Sequence, residues 1–227
     1  MEKLIVIYGR QVTPAAAPAA VIALLNAHVA PHCHALTLHL RASPIPAEVI
    51  ATGSFDETLD CALSLWVDRV DDLPRFESVL SDIGPEPSVY SVVESVPREY
   101  PRIDWRDGEA SPGVSLVALM KRRPTVPKDE FFARWLAHTQ ISLRLHPLTR
   151  YHRNAVLRKV SGSGDDWDGI VEERVGDIAD LDHARFYPDE ASIQYTVNDL
   201  LYFVDLPAGG MRCGLTHEYI LKRPQWL

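Results

Sequence analysis

Cysteine and long apolar runs are both scarce in this sequence. Cys33, Cys61 and Cys213 are the three cysteines in 227 residues; an odd number cannot all pair, and their spacing does not resemble that of metal ligands. We therefore expect reduced thiols, which are typical of a reducing compartment. The N-terminal stretch MEKLIVIYGR has only five consecutive apolar residues, Leu4–Tyr8, too few for a signal peptide or a membrane span. These observations predict a cytoplasmic protein without a membrane partner.

An excess of basic residues is also missing. The formal net charge is −8, which argues against a nucleic-acid partner, and the densest basic run, Lys121–Arg123, is typical of a solvated turn. The sequence contains no glycine-rich phosphate loop, nucleotide fingerprint or nucleophile elbow. Histidines and a cysteine cluster within residues 28–34, but Pro31 interrupts the helix that would align them. The sequence therefore predicts neither a metal site nor a cofactor.

Two successive sets of strands and helices are present. The first set is predicted as strand Leu4–Tyr8, helix Pro14–Val29, strands His34–Arg41 and Ala62–Val70, helix Asp72–Leu80 and strand Ser88–Val96. The second is predicted as strand Val114–Lys121, helix Lys128–Leu145, strands Arg150–Val160 and Gly169–Val175, helical segments Ile178–Phe186 and Glu190–Phe203, and strand Cys213–Leu221. The proline- and charge-rich stretch between them predicts a linker over residues 98–113, which separates units 1–97 and 114–227.

The order β-α-β-β-α-β predicts an α+β fold built from two ferredoxin-like units, each a four-stranded antiparallel sheet with its helices on one face. A short sequence match, Asp68–Leu73 (DRVDDL) with Glu173–Ile178 (ERVGDI), supports an internal duplication. Strands such as Ala62–Val70 are apolar on both faces, so each sheet needs a cover on the side away from its helices. We expect the two sheets to cover each other as a barrel, with a ligand cavity between them.

Candidate functional residues concentrate in the second half. Trp135 and His138 share a face of the helix Lys128–Leu145, although a buried tryptophan or histidine is commonly a packing residue with a satisfied ring nitrogen. In the next strand, alternation places Tyr151 and Arg153 on one face and His152 and Asn154 on the other. The sequence leaves open which pair faces the cavity.

Further candidates lie in the later elements. In the strand Gly169–Val175, Glu172 is either on an exposed edge or paired in a pocket, and Glu173 lies on the opposite face. His217 lies on the face of the last strand opposite Glu218, and Tyr202 lies in the late helix. Surface positions or satisfied hydrogen bonds would explain these residues equally well.

The second half resembles the EthD-like family of the dimeric α+β barrel superfamily. The residues that carry the resemblance span about 100 positions: Leu119–Pro124, Glu130-Phe131 with Trp135 and His138, Arg150-Tyr151 with Asn154, Asp168–Glu172, and Asp199 to Phe203. Residues 1–97 lack these signatures and resemble a diverged partner repeat. The resemblance implies a barrel whose members act without a cofactor on aromatic or polyketide-like acids.

The resulting hypothesis is a cofactor-independent lyase that decarboxylates or dehydrates a hydrophobic, aromatic acid or phenol. His138 would act as general acid or base, Tyr151 would bind a phenol or carboxylate oxygen, and Glu172 would complete the proton relay. The predicted substrate-binding residues are Trp135, His152, Arg153, Asn154, Asp168, Tyr202 and His217. A cofactorless oxygenase, a polyketide-type cyclase and a non-catalytic binding protein remain alternatives, and a homodimer remains open.

Overall fold

In the computed structural model, which describes residues 1–9, 18–42 and 59–224, strands and helices alternate in two similar sets. The strands are β1 Glu2–Tyr8, β2 Ala35–Arg41, β3 Cys61–Val67, β4 Ser88–Arg98, β5 Val114–Met120, β6 Leu148–Ser161, β7 Gly169–Val175 and β8 Met211–Lys222. The helices are α1 Pro18–His28, α2 Glu77–Ile83, α3 Lys128–Leu145, α4 His183–Phe186 and α5 Glu190–Phe203.

The eight strands form one closed antiparallel barrel in the order β1-β3-β2-β8-β5-β7-β6-β4. Each half contributes four neighbouring strands, and the two halves join at the pairs β2–β8 and β4–β6. Strands such as β3 and β5 are buried along their whole length because one face lines the barrel and the other packs under helices. The predicted α+β fold, with two ferredoxin-like units forming a barrel, is confirmed.

Two separate helix layers cover the outside of the barrel. In the first half, the layer is a cluster of leucine, valine and phenylalanine side chains that includes Leu25, Leu65 and Phe76. In the second half, Phe131, Trp135 and Phe203 pack over the outer face of the sheet. A third apolar cluster, including Ile5, Leu119 and Ile170, fills one end of the barrel interior.

The predicted elements agree with the structure most closely where hydrophobic periodicity is strong. The bounds of α3, β7 and α5 agree residue for residue. The predicted helix Asp72–Leu80 is instead a 3₁₀ turn, Val70–Arg75, followed by α2, because Pro74 interrupts regular α-helical bonding. The predicted first four residues of α1, 14–17, lie outside the described residues.

The sequence match between the halves has the wrong register. Glu2 pairs with Val67 in the first half and Val114 pairs with Val175 in the second, so Val67 corresponds to Val175. Counting back along each strand, Leu65 occupies the position equivalent to Glu173, whereas the sequence match aligned Asp68 with Glu173. The shared Arg-Val dipeptide is therefore a coincidence of sequence three residues out of structural register.

The crossover segment, residues 99–113, closes one end of the barrel. Its backbone donates hydrogen bonds from Gly108 to Ile220 O at 2.7 Å and from Ser111 to Glu218 O at 2.8 Å. The Tyr100 hydroxyl donates to Glu218 Oε1 at 2.8 Å. The segment is thus an ordered part of the barrel end, and the division into units 1–97 and 114–227 stays a prediction. In the described part of the chain, no helix has the length and apolarity needed to span a membrane.

Candidate active site between the helices and the second-half sheet

The two faces of β6 carry their polar residues into different compartments. Tyr151 belongs to the cluster beneath α3 and α5, where its hydroxyl oxygen accepts a hydrogen bond from Trp135 Nε1 at 3.4 Å. Arg153, on the same face, lies over the Trp135 ring at 5.3 Å. His152 and Asn154 point into the barrel, where Asn154 Nδ2 donates to Glu172 Oε1 at 3.2 Å. Each compartment therefore receives one of the two predicted pairs.

His138 lies outside the barrel, not in the expected cavity between the sheets. It projects from α3 toward α5, where its Nδ1 is 2.7 Å from Asp199 Oδ2. The histidine is buried, whereas Asp199 is partly exposed. Trp135, one turn earlier on α3, packs so closely on β7 that a Cβ at Gly169 would lie 2.6 Å from its ring. Because any side chain at position 169 would collide with the Trp135 ring, Gly169 sets how near α3 approaches the sheet.

A small cavity of about 30 Å³ lies between this helix layer and the sheet; we call it the helix-side cavity. Such a volume holds one or two water molecules. Its polar lining consists of His138, Ser142, His146, Tyr151, Glu173, Tyr187 and Thr196, and the rest is apolar, aromatic or contains sulfur.

Several polar atoms of this lining have no hydrogen-bond partner among the described residues. They are Ser142 Oγ, both ring nitrogens of His146, and the Tyr187 hydroxyl. Buried polar groups without partners are costly, and native structures contain few of them. Their convergence on one cavity indicates a site built to bind a polar group.

Glu173 is the charged member of the cavity. It pairs across the strands with Tyr151, and no cation or hydrogen-bond donor of the described chain reaches its carboxylate. The side chain keeps some accessible surface through the cavity but lies deep in the protein, and this burial raises its pKa to about 7. A carboxyl group with such a pKa can accept a proton and return it near neutral pH.

Three neighbouring groups, Tyr151, Tyr187 and His146, are neutral. Burial, together with the negative charge of Glu173, raises the pKa of Tyr151 and of Tyr187. Burial, with a smaller contribution from His138, lowers the pKa of His146 to about 3. His146 stacks on Phe186 with ring centroids 4.1 Å apart. The cavity therefore combines one carboxyl group poised to titrate with neutral donors and acceptors.

Sequence reasoning selected Glu172, but Glu172 lies in the barrel interior. Its Oε1 accepts hydrogen bonds from Lys3 Nζ at 3.0 Å and Ser64 Oγ at 3.1 Å. Burial alone would raise the pKa of Glu172, but Lys3, His39 and Arg150 outweigh burial and hold it well below the usual range. A carboxylate held ionised in this way is a poor base, and its catalytic role stays a prediction that its surroundings do not favour.

The remaining predicted residues are dispersed. Asp168 Oδ2 accepts a hydrogen bond from the Arg122 backbone N–H at 2.9 Å and fixes the turn after β5. Tyr202 is 62% exposed, with the Arg134 guanidinium 4.2 Å from its ring centre. His217 lies half-buried on the outer face of β8, and burial, followed by Arg174, lowers its pKa. None of these three predicted residues lines the helix-side cavity.

Sequence reasoning missed five polar cavity residues: Ser142, His146, Glu173, Tyr187 and Thr196. Strand alternation places Tyr151 and Glu173 on the faces opposite His152 and Glu172, but it does not say which of these faces meets the helices. Ser142 lies one turn after His138 on the same side of α3, and His146 is the first residue after the end of that helix. Across residues 1–9, 18–42 and 59–224, no group of three or more histidine, cysteine or acidic side chains is arranged to hold a metal.

Proteins of known structure share this architecture at very low sequence identity. An anthrone oxidase-like protein is 10% identical with a TM-score of 0.63, and the alignment covers 98% of this chain and 94% of that one. A candidate monooxygenase from Fusobacterium nucleatum subsp. nucleatum is 10% identical, with a TM-score of 0.57 and coverages of 97% and 92%. A candidate monooxygenase from Lactobacillus acidophilus is 7% identical, with a TM-score of 0.54 and coverages of 97% and 96%.

No protein-family profile and no curated protein sequence matches the chain. The structural likeness establishes the fold and leaves activity to be argued from the site. The chain has the dimeric α+β barrel fold, with both halves of the barrel supplied by one polypeptide.

Proposed function

We propose that the chain is a cofactor-independent oxygenase that oxidises a small aromatic hydroxy compound in the helix-side cavity. The observation that carries the proposal is Glu173, a carboxyl group that has no partner among the described residues and whose pKa burial raises to about 7. It faces a cavity in which Ser142 Oγ, the His146 ring nitrogens and the Tyr187 hydroxyl have no partner among the described residues. A general base of matched pKa is the one group that such a reaction requires from the protein.

Glu173 would remove a proton from an activated carbon of the substrate, such as the methylene group between two aromatic rings of an anthrone. The carbanion is stabilised when its charge moves onto the substrate's oxygen, and the Tyr151 and Tyr187 hydroxyls can donate hydrogen bonds to that oxygen. Both tyrosines stay protonated because burial raises their pKa values.

The reaction is balanced without a cofactor. The carbanion adds molecular oxygen to form a carbon–oxygen bond, and the peroxide takes a proton to become a hydroperoxide. Loss of the second proton from the same carbon breaks the O–O bond, and this step leaves a carbonyl group and releases water. The carbon is oxidised and oxygen is reduced, with the proton carried by Glu173. His138, held by Asp199, lies in the same lining and can protonate the peroxide.

An aromatic ring is larger than this volume of about 30 Å³, so the cover must move when the substrate binds. Phe186 and Tyr187, at the end of α4, pack over His146 and form this cover. The helix α4 has only four residues, so its own hydrogen bonding gives little resistance to displacement. We place substrate access here.

Two further observations support an oxygenase. The solved structures that share the fold include proteins named as anthrone oxidase-like and as monooxygenases, although the likeness itself concerns the fold. The sequence resemblance of the second half to the EthD-like family concerns Trp135, His138 and Tyr151, which all lie around this cavity. The EthD-like assignment is part of this proposal.

The direct test is oxygen uptake by the full chain with an anthrone as substrate. Wild-type protein should consume one O₂ per quinone formed, and Glu173→Gln should lower turnover by a factor on the order of 10²–10⁴ because the base is lost. Glu77→Gln, an exposed carboxylate on α2, is the matched control and should retain full turnover. Equal turnover by wild type and Glu173→Gln would contradict the assignment.

A lyase that decarboxylates or dehydrates a phenolic acid is the second candidate. The observation in its favour is that the cavity supplies a base and neutral donors, which suffice for elimination without oxygen. Anaerobic assay separates the two functions, since a lyase keeps its full rate when oxygen is removed and an oxygenase stops. Product formation without oxygen would replace the oxygenase proposal with the lyase.

A further inference from the structure

We propose that the barrel end closed by the crossover segment is a second ligand site, which binds a small organic cation with an aromatic or aliphatic body. This barrel-mouth pocket has a volume of about 610 Å³. That size is within the range of small-molecule sites, about 300–1,000 Å³. Its apolar walls come from Trp66, Val96, Tyr100, Ile103, Ile220 and Pro224. It lies on the barrel side of the sheet, so it is separate from the helix-side cavity and from its proposed reaction.

The polar wall of the pocket is a row of three side chains, Glu94, His152 and Glu99. His152 Nδ1 is 2.8 Å from Glu94 Oε1, and His152 Nε2 is 2.9 Å from Glu99 Oε2. The ring of His152 thus bridges the two carboxylates, with Arg150 Nε 3.0 Å from its Nε2, and this arrangement fixes the two carboxylates in place.

The carboxylates face the pocket and the cations lie behind them. The side chains of Glu94 and Glu99 are 18% and 26% exposed, against 2% for Lys3, 4% for His152 and 7% for Arg150. Lys3 Nζ contacts Glu94 Oε1 at 2.7 Å and Arg150 Nε contacts Glu99 Oε1 at 3.2 Å. A ligand in the pocket therefore meets negative oxygen atoms first.

Both carboxylates are ionised at neutral pH. Burial alone would raise the pKa of Glu94, but His152 and Lys3 outweigh it and lower the pKa to about 2. His152 and Arg150 likewise outweigh burial at Glu99 and lower its pKa. Carboxylate oxygens can each accept more than one hydrogen bond, so a further donor can be accommodated.

Two rings of the pocket already lie against cations of the chain. Lys3 Nζ lies 4.5 Å from the centre of the Trp66 ring, and the Arg150 guanidinium lies 5.3 Å from the centre of Tyr100. One more exposed cation, Arg223, also lines the pocket, but its Nε is 2.6 Å from Asp107 Oδ1 and its charge is thereby balanced. An anionic ligand would face two ionised carboxylates, and both cations of the lining, Arg150 and Arg223, are already paired with carboxylates.

The test is titration of the full chain with three probes that share a benzyl or phenyl ring: benzylammonium, benzyl alcohol and benzoate. Ligand-observed NMR and calorimetry report the binding of each. Benzylammonium should bind about five times more tightly than benzyl alcohol or better, and benzoate should bind weakest, as expected from the charge of the pocket. Tighter binding of benzoate, or no binding of any probe, would overturn the proposal.

Substitutions inside and outside the barrel-mouth pocket show where the probes bind. Glu99→Gln keeps the shape of the side chain and should weaken benzylammonium about 3- to 10-fold while it changes benzyl alcohol less than about twofold. Val96→Trp, at the 45% exposed rim of the pocket, should block both probes. Glu77→Gln should leave both unchanged. Loss of benzylammonium binding in Glu173→Gln, with unchanged binding in Glu99→Gln, would place the probe in the helix-side cavity and reject the barrel-mouth pocket.

Discussion

The two helix layers share a backbone arrangement, but the side chains at one pair of equivalent positions are polar in one layer and aliphatic in the other. In the second half, Glu173 pairs with Tyr151 beneath α3 and α5. The equivalent pair in the first half is Leu65 with Leu36, and both are almost completely buried among other aliphatic side chains. The first layer is thus a packed core, and the second holds the proposed site. The comparison indicates that polar groups in the second layer are retained at a cost in stability that the first layer does not carry.

The largest expected effect comes from giving the first layer the second layer's carboxyl group. Leu65→Glu buries an acid among aliphatic side chains with no cavity beside it, and should cost about 3–5 kcal/mol of the free energy of unfolding. Urea unfolding measures this loss in the free energy of unfolding. Val93→Glu introduces the same residue at a position that is 55% exposed and should change stability by less than about 0.5 kcal/mol. A loss at Leu65 below about 1 kcal/mol would mean that the two layers are not chemically distinct.

The pH dependence of stability should show directly that the pKa of Glu173 is raised. Its folded-state pKa of about 7 exceeds the usual 4.5, so the native state binds the proton more tightly than the unfolded state. The free energy of unfolding therefore falls as pH rises through this window, by up to about 3 kcal/mol. Glu173→Gln removes that dependence. Unfolding of both proteins at several pH values between 4.5 and 7 tests this, and parallel curves would show that Glu173 titrates normally.

Giving the second layer a leucine in place of Glu173, as in the first layer, should stabilise the protein. Glu173→Leu removes a buried carboxyl group without a partner and should raise the free energy of unfolding above pH 7 by about 1–2 kcal/mol, while turnover is lost. Thermal unfolding and oxygen uptake on the same sample measure the two changes. Glu77→Leu, at an exposed position, serves as the control. A variant that is both less active and less stable would indicate a structural role for Glu173.

The smallest expected effect is the difference in stability loss between a tyrosine substitution in the first layer and one in the second. Tyr8 donates a hydrogen bond to Leu80 O at 3.0 Å, so Tyr8→Phe should cost about 0.5–1.5 kcal/mol. The Tyr187 hydroxyl has no partner among the described residues, so Tyr187→Phe should leave stability within about 0.5 kcal/mol of wild type. Chemical denaturation of both variants checks the contrast, and equal losses would show that Tyr187 has a partner in solution.

The fold could be predicted from the sequence because its signals are local. The bounds of α3, β7 and α5 follow from periodicity and from flanking turns. The sequence could not decide between Glu172 and Glu173. Strand β7 is buried on both faces, and alternation does not say which face meets the helices. The network of Glu94, Arg150 and Glu218 also joins residues far apart in sequence, and only the closed barrel brings them together.

A barrel closed within one polypeptide has a genetic consequence. When two identical chains form a barrel, every substitution appears twice, and a costly polar residue weakens both helix layers at once. Here the β2–β8 and β4–β6 pairs join halves with separate codons, so Leu65 and Glu173 can differ. One layer can then hold the molecule together while the other accumulates groups that a stable core would exclude.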